Sequence, residues 1–162
     1  MRVLITYYSK TGNTERMARA VVAGVKEAKG VIVKLKRVEK TSLKDLVESD
    51  IIIVGSPTYY GLMAAPVKRL LDESVKIHGK LEGKVGGAFT SSGGSATGAE
   101  TTLMSILQAL LVHGMIIQGN PEDKHYGVAC VGKPGKKDLE QCRKLGKRLT
   151  MLASRLIKPD SL

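Results

Sequence analysis

The sequence predicts an α/β domain: a five-stranded parallel sheet of order 2-1-3-4-5, covered by helices on both faces. Three observations carry this. Apolar, β-rich runs alternate with runs of helical spacing along the chain, as in consecutive βαβ units. One run, Ile51 to Val54, is four β-branched residues in a row, the mark of a strand buried on both faces. The polar, glycine-rich stretches follow the first, third and fourth strands, where an open parallel sheet presents its carboxyl ends to a ligand. At 162 residues, without internal repeat, low-complexity tract or linker, residues 1–162 read as a single domain.

The elements follow in order. The first strand is Val3 to Tyr8. The first helix spans about Thr14 to Ala28, with Met17, Val21 and Val25 at core spacing, and ends near Gly30. In the second strand, Val31 to Val38, Val31, Val33 and Leu35 alternate with Lys34 and Lys36, as on a half-exposed edge. Ser42 is the N-cap of a short helix through Leu46 and Val47. Gly55 to Gly61, after the third strand, reads as a loop. Pro66 then opens a helix that buries Val67, Leu70 and Leu71. The fourth strand is Val85 to Thr90, followed by a loop, Ser91 to Gly98. The fourth helix, Glu100 to His113, carries Leu103, Ile106, Leu107, Leu110 and Leu111 at core spacing and stops at Gly114. The fifth strand begins at Met115, is interrupted by a hydrophilic excursion from Gly119 to Gly127, and resumes at Val128 to Val131. The last helix, Asp138 to Ile157, buries Leu139, Cys142, Leu149, Ala153 and Leu156.

Composition narrows the function classes. No apolar run reaches the roughly 18–20 residues of a membrane span, and the N-terminus turns polar by Thr6, so a cytoplasmic protein without membrane insertion is expected. Cys130 and Cys142 lack a C-x-x-C spacing and read as free thiols in a reducing compartment. Between Lys133 and Lys158 lie nine basic and two acidic side chains, so most of the net charge of +11 sits on the last helix and its approach. No aromatic residues interleave with these charges, and nucleic acid is not the expected partner. The G-x-x-x-x-G-K-[ST] and G-x-G-x-x-G turns are absent, as is any His–Glu cluster with metal-ligand spacing. Tyr7, Tyr8 and Gly55 stand where a response regulator carries acidic residues.

The chemistry collects in three stretches. Ser9, Lys10, Thr11, Gly12, Asn13 and Thr14 lie where the first strand becomes the first helix. Free backbone N–H groups and the positive dipole end at a helix start suit an anion, although Ser, Thr and Asn are also the best helix caps. The second stretch, GSPTYYG (Gly55–Gly61), places Tyr59 and Tyr60 side by side in a chain with five Tyr, one Phe and no Trp, and such a pair can wall a flat ring. The third, TSSGGSATG (Thr90–Gly98), offers hydroxyls and glycine backbone donors for the polar edge of a ring or sugar.

The run YYSKTGNT closely resembles the phosphate loop of flavodoxins, a hydroxyl-rich [ST]-x-T-G-N-T turn. YYSKTGNTERMARAV, GSPTYYG and ETTLMSILQALLVHGM, in that order, resemble the WrbA-type NAD(P)H:quinone oxidoreductases. The resemblance covers most of the chain and implies a flavodoxin-like three-layer sandwich that binds FMN. On it, Ser9 to Thr14 hold the FMN phosphate, and Pro57, Thr58, Tyr59, Tyr60 and Gly61 line the isoalloxazine. Ser91, Ser92, Gly93, Gly94 and Ser95 reach the ring edge and ribityl chain, and His113 lies near the flavin. It further implies NAD(P)H as co-substrate, a quinone or a redox protein as partner, and a homodimer or homotetramer. The segment Ser74 to Lys84 is shorter than its WrbA-type counterpart and lacks the Trp-bearing insertion. The two loops Gly55–Gly61 and Thr90–Gly98 contain no Asp or Glu, and the net charge is positive. A reduced, anionic ring is tolerated in such surroundings, which favours two-electron transfer over the role of a non-enzymatic electron carrier.

Overall fold

The computed structural model describes residues 1–156; the Ile157 and Lys158 of the expected last helix and basic run lie outside them. Five parallel positions form the sheet, as expected. β1 (Arg2–Tyr7) pairs with β2 (Ile32–Arg37) on one side and β3 (Ile51–Tyr59) on the other. β3 pairs with β5 (Val85–Ser92), from Ile51↔Val85 to Pro57↔Ser91. The fifth position is split. β6 (Ile116–Ile117) pairs with the start of β5 and β7 (Val128–Val131) with its end, and the Gly119–Gly127 excursion stands between them. A two-residue strand, β4 (Leu62–Met63), folds back antiparallel on the tip of β3, which brings the sheet to seven strands instead of five.

Helices cover both faces. α1 (Asn13–Val25) and α5 (Lys136–Leu156) lie on one face, where Val3, Ile5, Met17, Val21, Phe89, Cys142, Leu145 and Leu149 form a continuous core. The two helices touch backbone to backbone: a Cβ at Gly24 would collide with the carbonyl of Arg143, and one at Gly146 with that of Val21. α2 (Leu43–Val47), α3 (Ala65–Glu73) and α4 (Ala99–Val112) lie on the other face over Leu4, Ile52, Val54 and Ala88. Four apolar positions depart from expectation. Leu111 is 53% exposed and Leu156 49%, and Leu71 and Leu139 are only half-buried. Leu111 follows the buried Leu110 by one residue, a rotation of about 100° that carries it off the core side. No described helix is long and apolar enough to cross a membrane.

The edge at β2 is held by charge. Ser42 and Asp45 form a full capping box at the start of α2, with the Asp45 N–H donating to Ser42 Oγ at 3.2 Å and the Ser42 N–H to Asp45 Oδ2 at 2.9 Å. Asp45 is buried and also accepts from Lys36 Nζ at 2.6 Å and Lys34 Nζ at 3.2 Å. Burial pushes its carboxyl up, but the bonds from Lys36, Ser42 and Lys34 outweigh that and hold it well below the usual carboxylate range. The lysines that mark β2 as a half-exposed edge in the sequence are thus partners of a buried acid.

Candidate functional site

The first stretch forms a tight turn between β1 and α1. Gly12 has φ 90°, a left-handed conformation that favours glycine, and its N–H donates to Ser9 Oγ at 3.1 Å. α1 starts on this glycine with no side-chain cap, and a Cβ on Gly12 would meet nothing within 4 Å. The turn therefore opens onto free space with the first-turn N–H groups of α1 beside it. Ser9 and Thr14 are buried, Gly12 and Asn13 half-buried, Lys10 and Thr11 exposed. Thr14 Oγ1 lies 2.9 Å from Ser91 Oγ, a buried contact that ties this turn to the third stretch across the sheet.

The second stretch is not a loop. β3 runs on to Tyr59, and Tyr60 (φ 51°) and Gly61 (φ 75°) form a two-residue reversal into β4. Two consecutive left-handed residues are the signature of the hairpin turn whose twist matches its strands. Tyrosine adopts this conformation at a cost on the order of 1–3 kcal/mol, which the surroundings must offset. They do so through Thr101 Oγ1, which donates to the Gly61 carbonyl at 2.7 Å, and through Gly98, whose backbone packs directly on Gly61. Thr58 Oγ1 meets Thr90 Oγ1 at 3.0 Å. Pro57 and Thr58 are half-buried, Tyr59 is 42% exposed, and Tyr60 is fully exposed. Burial and the nearby Tyr8 raise the Tyr59 phenol above its ordinary value, so it stays protonated.

The third stretch begins inside the sheet, because β5 continues through Ser92. Ser91 and Ser92 are buried, Gly93 and Ser95 exposed, and Gly94 half-buried. The Gly94 carbonyl accepts from Ser92 Oγ at 2.9 Å and from Thr97 Oγ1 at 2.7 Å, which folds the segment back on itself. α4 then starts, like α1, on a left-handed glycine, Gly98 (φ 90°), with no side-chain cap. All three stretches thus stand at the carboxyl ends of β1, β3 and β5, around one crevice.

His113 does not join them. It ends α4, whose 14 residues span about 20 Å from the crevice toward the amino ends of the strands. There Ser74 Oγ donates to the Leu71 carbonyl at 2.6 Å, so the 2.7 Å contact with His113 is a bond donated by Nε2–H. Nδ1 is buried without a partner among the described residues. Burial and the neighbouring His78, at 5.9 Å between ring centroids, push the His113 pKa down. The length of α4 sets this separation, since a residue at the end of a long helix lies far from one at its start. Cys130 and Cys142 are buried free thiols; burial raises them to about 11 and about 12, respectively, which leaves them unreactive. No group of three or more metal-ligating side chains occurs among the described residues.

The profile of the flavodoxin family matches residues 5–146, most of the chain and all three stretches. The chain belongs to the flavodoxin family. A flavodoxin of Aquifex aeolicus is 37% identical over 156 residues, covering 91% of this chain and 84% of that one. An NAD(P)H dehydrogenase (quinone) of Archaeoglobus fulgidus is 35% identical over 189 residues, covering 96% and 98%. Among solved structures, an archaeal flavodoxin superimposes with a TM-score of 0.79 at 29% identity, covering 95% of this chain and 99% of that one. A WrbA-like flavodoxin from Agrobacterium tumefaciens does so with 0.82 at 26%, covering 95% and 98%.

The flavodoxin crevice also recruits residues that sequence reasoning passed over. Arg37, at the end of β2, donates from Nη2 to the Ser9 carbonyl at 2.9 Å, and its guanidinium lies 5.9 Å and 5.8 Å from the ring centroids of Tyr7 and Tyr8. Thr101 braces the hairpin. A basic residue closing an alternating edge strand was the one signal for Arg37, and only the parallel register Tyr7↔Arg37 reveals it. The crevice fits a phosphate-bearing flat cofactor: an uncapped helix start beside an open glycine for the anion, and an exposed tyrosine pair for the ring.

Proposed function

We propose that this flavodoxin-family protein binds FMN and transfers electrons in pairs from NAD(P)H to quinones. The observation that carries the two-electron reading is the crevice itself. Its second and third stretches present hydroxyls, backbone donors and tyrosines, with no carboxylate to oppose negative charge on a reduced ring. The full-length similarity to proteins named NAD(P)H dehydrogenase (quinone) supports the same reading.

FMN, when bound, would supply the redox chemistry by taking up a hydride equivalent and releasing two electrons. The chain's own residues bind and orient. Ser9, Thr11, Gly12, Asn13 and Thr14 hold the phosphate through hydroxyls and backbone N–H groups; Lys10, exposed, contributes least. Pro57, Thr58, Tyr59, Tyr60 and Gly61 wall the ring, with Thr101 keeping the hairpin in place. Ser91 to Ser95 face the ring edge and ribityl chain. His113 has no part in this site within one chain.

The purified protein should acquire a flavin spectrum with FMN and oxidise NADH or NADPH with a soluble quinone as acceptor. Loss of NAD(P)H oxidation with every quinone tried, in protein shown to hold FMN, would eliminate the enzymatic reading. The similarity to the Aquifex flavodoxin favours a second one, an electron carrier between proteins. Stepwise reduction separates the two, because a carrier passes through a long-lived one-electron stage and a two-electron enzyme does not.

A further inference from the structure

We infer that Arg37 is a positioning residue for the FMN phosphate and the cation that sets phosphate affinity, in place of Lys10, which lies within the turn. The inference rests on the FMN reading above. Lys10 is exposed, and its side chain makes no hydrogen bond or ion pair among the described residues. Arg37 is anchored. Its guanidinium lies near the rings of Tyr7 and Tyr8, donates to the Ser9 carbonyl at 2.9 Å, and is kept in place by Glu39 Oε1 at 3.2 Å.

The bond to Ser9 has a consequence for the turn. The Ser9–Lys10 peptide is trans, as are all peptide bonds among the described residues, so the C=O of Ser9 and the N–H of Lys10 point in opposite directions. Holding the carbonyl toward Arg37 turns the Lys10 N–H away from it. The same Ser9 holds the other end of the turn, because its Oγ accepts from the Gly12 N–H at 3.1 Å. One guanidinium thereby orients a backbone donor, braces the turn and adds a positive charge behind it. That charge strengthens an anion site already set up by the α1 N-terminus. Both bonds come from Nη2, and it is the flat guanidinium placed near two aromatic rings that lysine cannot reproduce.

The test is titration of FMN and of riboflavin, which lacks the phosphate, into wild-type, Arg37→Gln and Arg37→Lys proteins, followed by flavin fluorescence at low and physiological salt. Arg37→Gln should weaken FMN about tenfold, the scale of one charge-assisted hydrogen bond. Riboflavin affinity should change by less than about twofold, which also shows that the variant is folded. The salt dependence of FMN binding should shrink in Arg37→Gln. Arg37→Lys should keep the salt dependence and lie between the two in affinity. Equal losses for both flavins, or an unchanged FMN affinity, would overturn the inference. Failure of the wild-type protein to bind either flavin would instead remove the FMN reading on which it rests.

Discussion

The start of α2 and the starts of α1 and α4 are built in opposite ways. α2 begins at the β2 edge on Ser42, with its donors satisfied from within by the Ser42–Asp45 capping box. α1 and α4 begin at the crevice on left-handed glycines, Gly12 and Gly98, with no side-chain cap. The same orphan N–H groups exist at every helix start. Where the protein closes them with its own side chains, they contribute stability. At Gly12 the protein withholds a cap and keeps the space open, so these donors remain available to an anion, whereas at Gly98 the Gly61 backbone fills the space. Ser9 and Thr14, both good capping residue types, hold the turn together and tie it to Ser91.

The largest expected effect lies at the closed end. Asp45→Ala strips two lysines and the capping box of their shared acceptor, and should cost about 3 kcal/mol of stability in urea denaturation. Its FMN affinity should stay within about twofold of wild type. Because the folded carboxyl is held below its ordinary value of about 4, its stabilisation is complete above that value and is lost as pH falls below it. Asp45→Asn should lack that acid dependence.

The open end should show the reverse pattern. Replacing Thr11 and Thr14 together with Ala should weaken FMN by about two orders of magnitude, while Lys10→Ala changes it by less than about threefold. Fluorescence titration gives both numbers, and the opposite ranking would mean that charge in the turn, and not its hydroxyls and amides, holds the phosphate. Thermal melts should show the exposed Thr11 to be nearly neutral for stability and the buried Thr14 costly.

A smaller effect isolates the cap alone. Ser42→Ala should cost about 1 kcal/mol of stability with no change in flavin affinity. A shift in FMN binding would show that the β2 edge and the crevice are coupled, in which case Arg37 is the first residue to test.

The smallest effect concerns His113. Its folded pKa is depressed, so the unfolded chain takes up the proton more readily, and the associated stability is complete above the ordinary histidine value of about 6.5 and declines as pH falls through it toward the folded value. His113→Gln, which can still donate to Ser74, should flatten the melting temperature between pH 7 and 5 relative to wild type. A change in flavin affinity of the monomer would contradict its placement at the far end of α4.

Much of this was legible along the chain. The four β-branched residues at Ile51–Val54, the alternation about Lys34 and Lys36, Ser42 as a cap and the interrupted fifth strand are local signals, and local signals specify elements, their order and the end of the sheet where the polar stretches gather. YYSKTGNT likewise marks its own turn. The tertiary structure decided what depends on register and on length through space. GSPTYYG reads as a loop because Gly and Pro are breakers in isolation, yet pairing with β5 and β4 extends β3 through Pro57 to Tyr59, and Thr101 and Gly98 lock the Tyr60 reversal. Arg37 reaches Ser9 only because β1 and β2 run parallel in a register that sets it opposite Tyr7. His113, beside a motif that resembles a flavin enzyme, is carried to the other end by a helix whose rise is indifferent to the motif. Helix, strand and cap are short-range decisions made by neighbouring residues; which helix start remains open for a ligand, and which distant side chain stands behind it, is decided when the sheet brings them together.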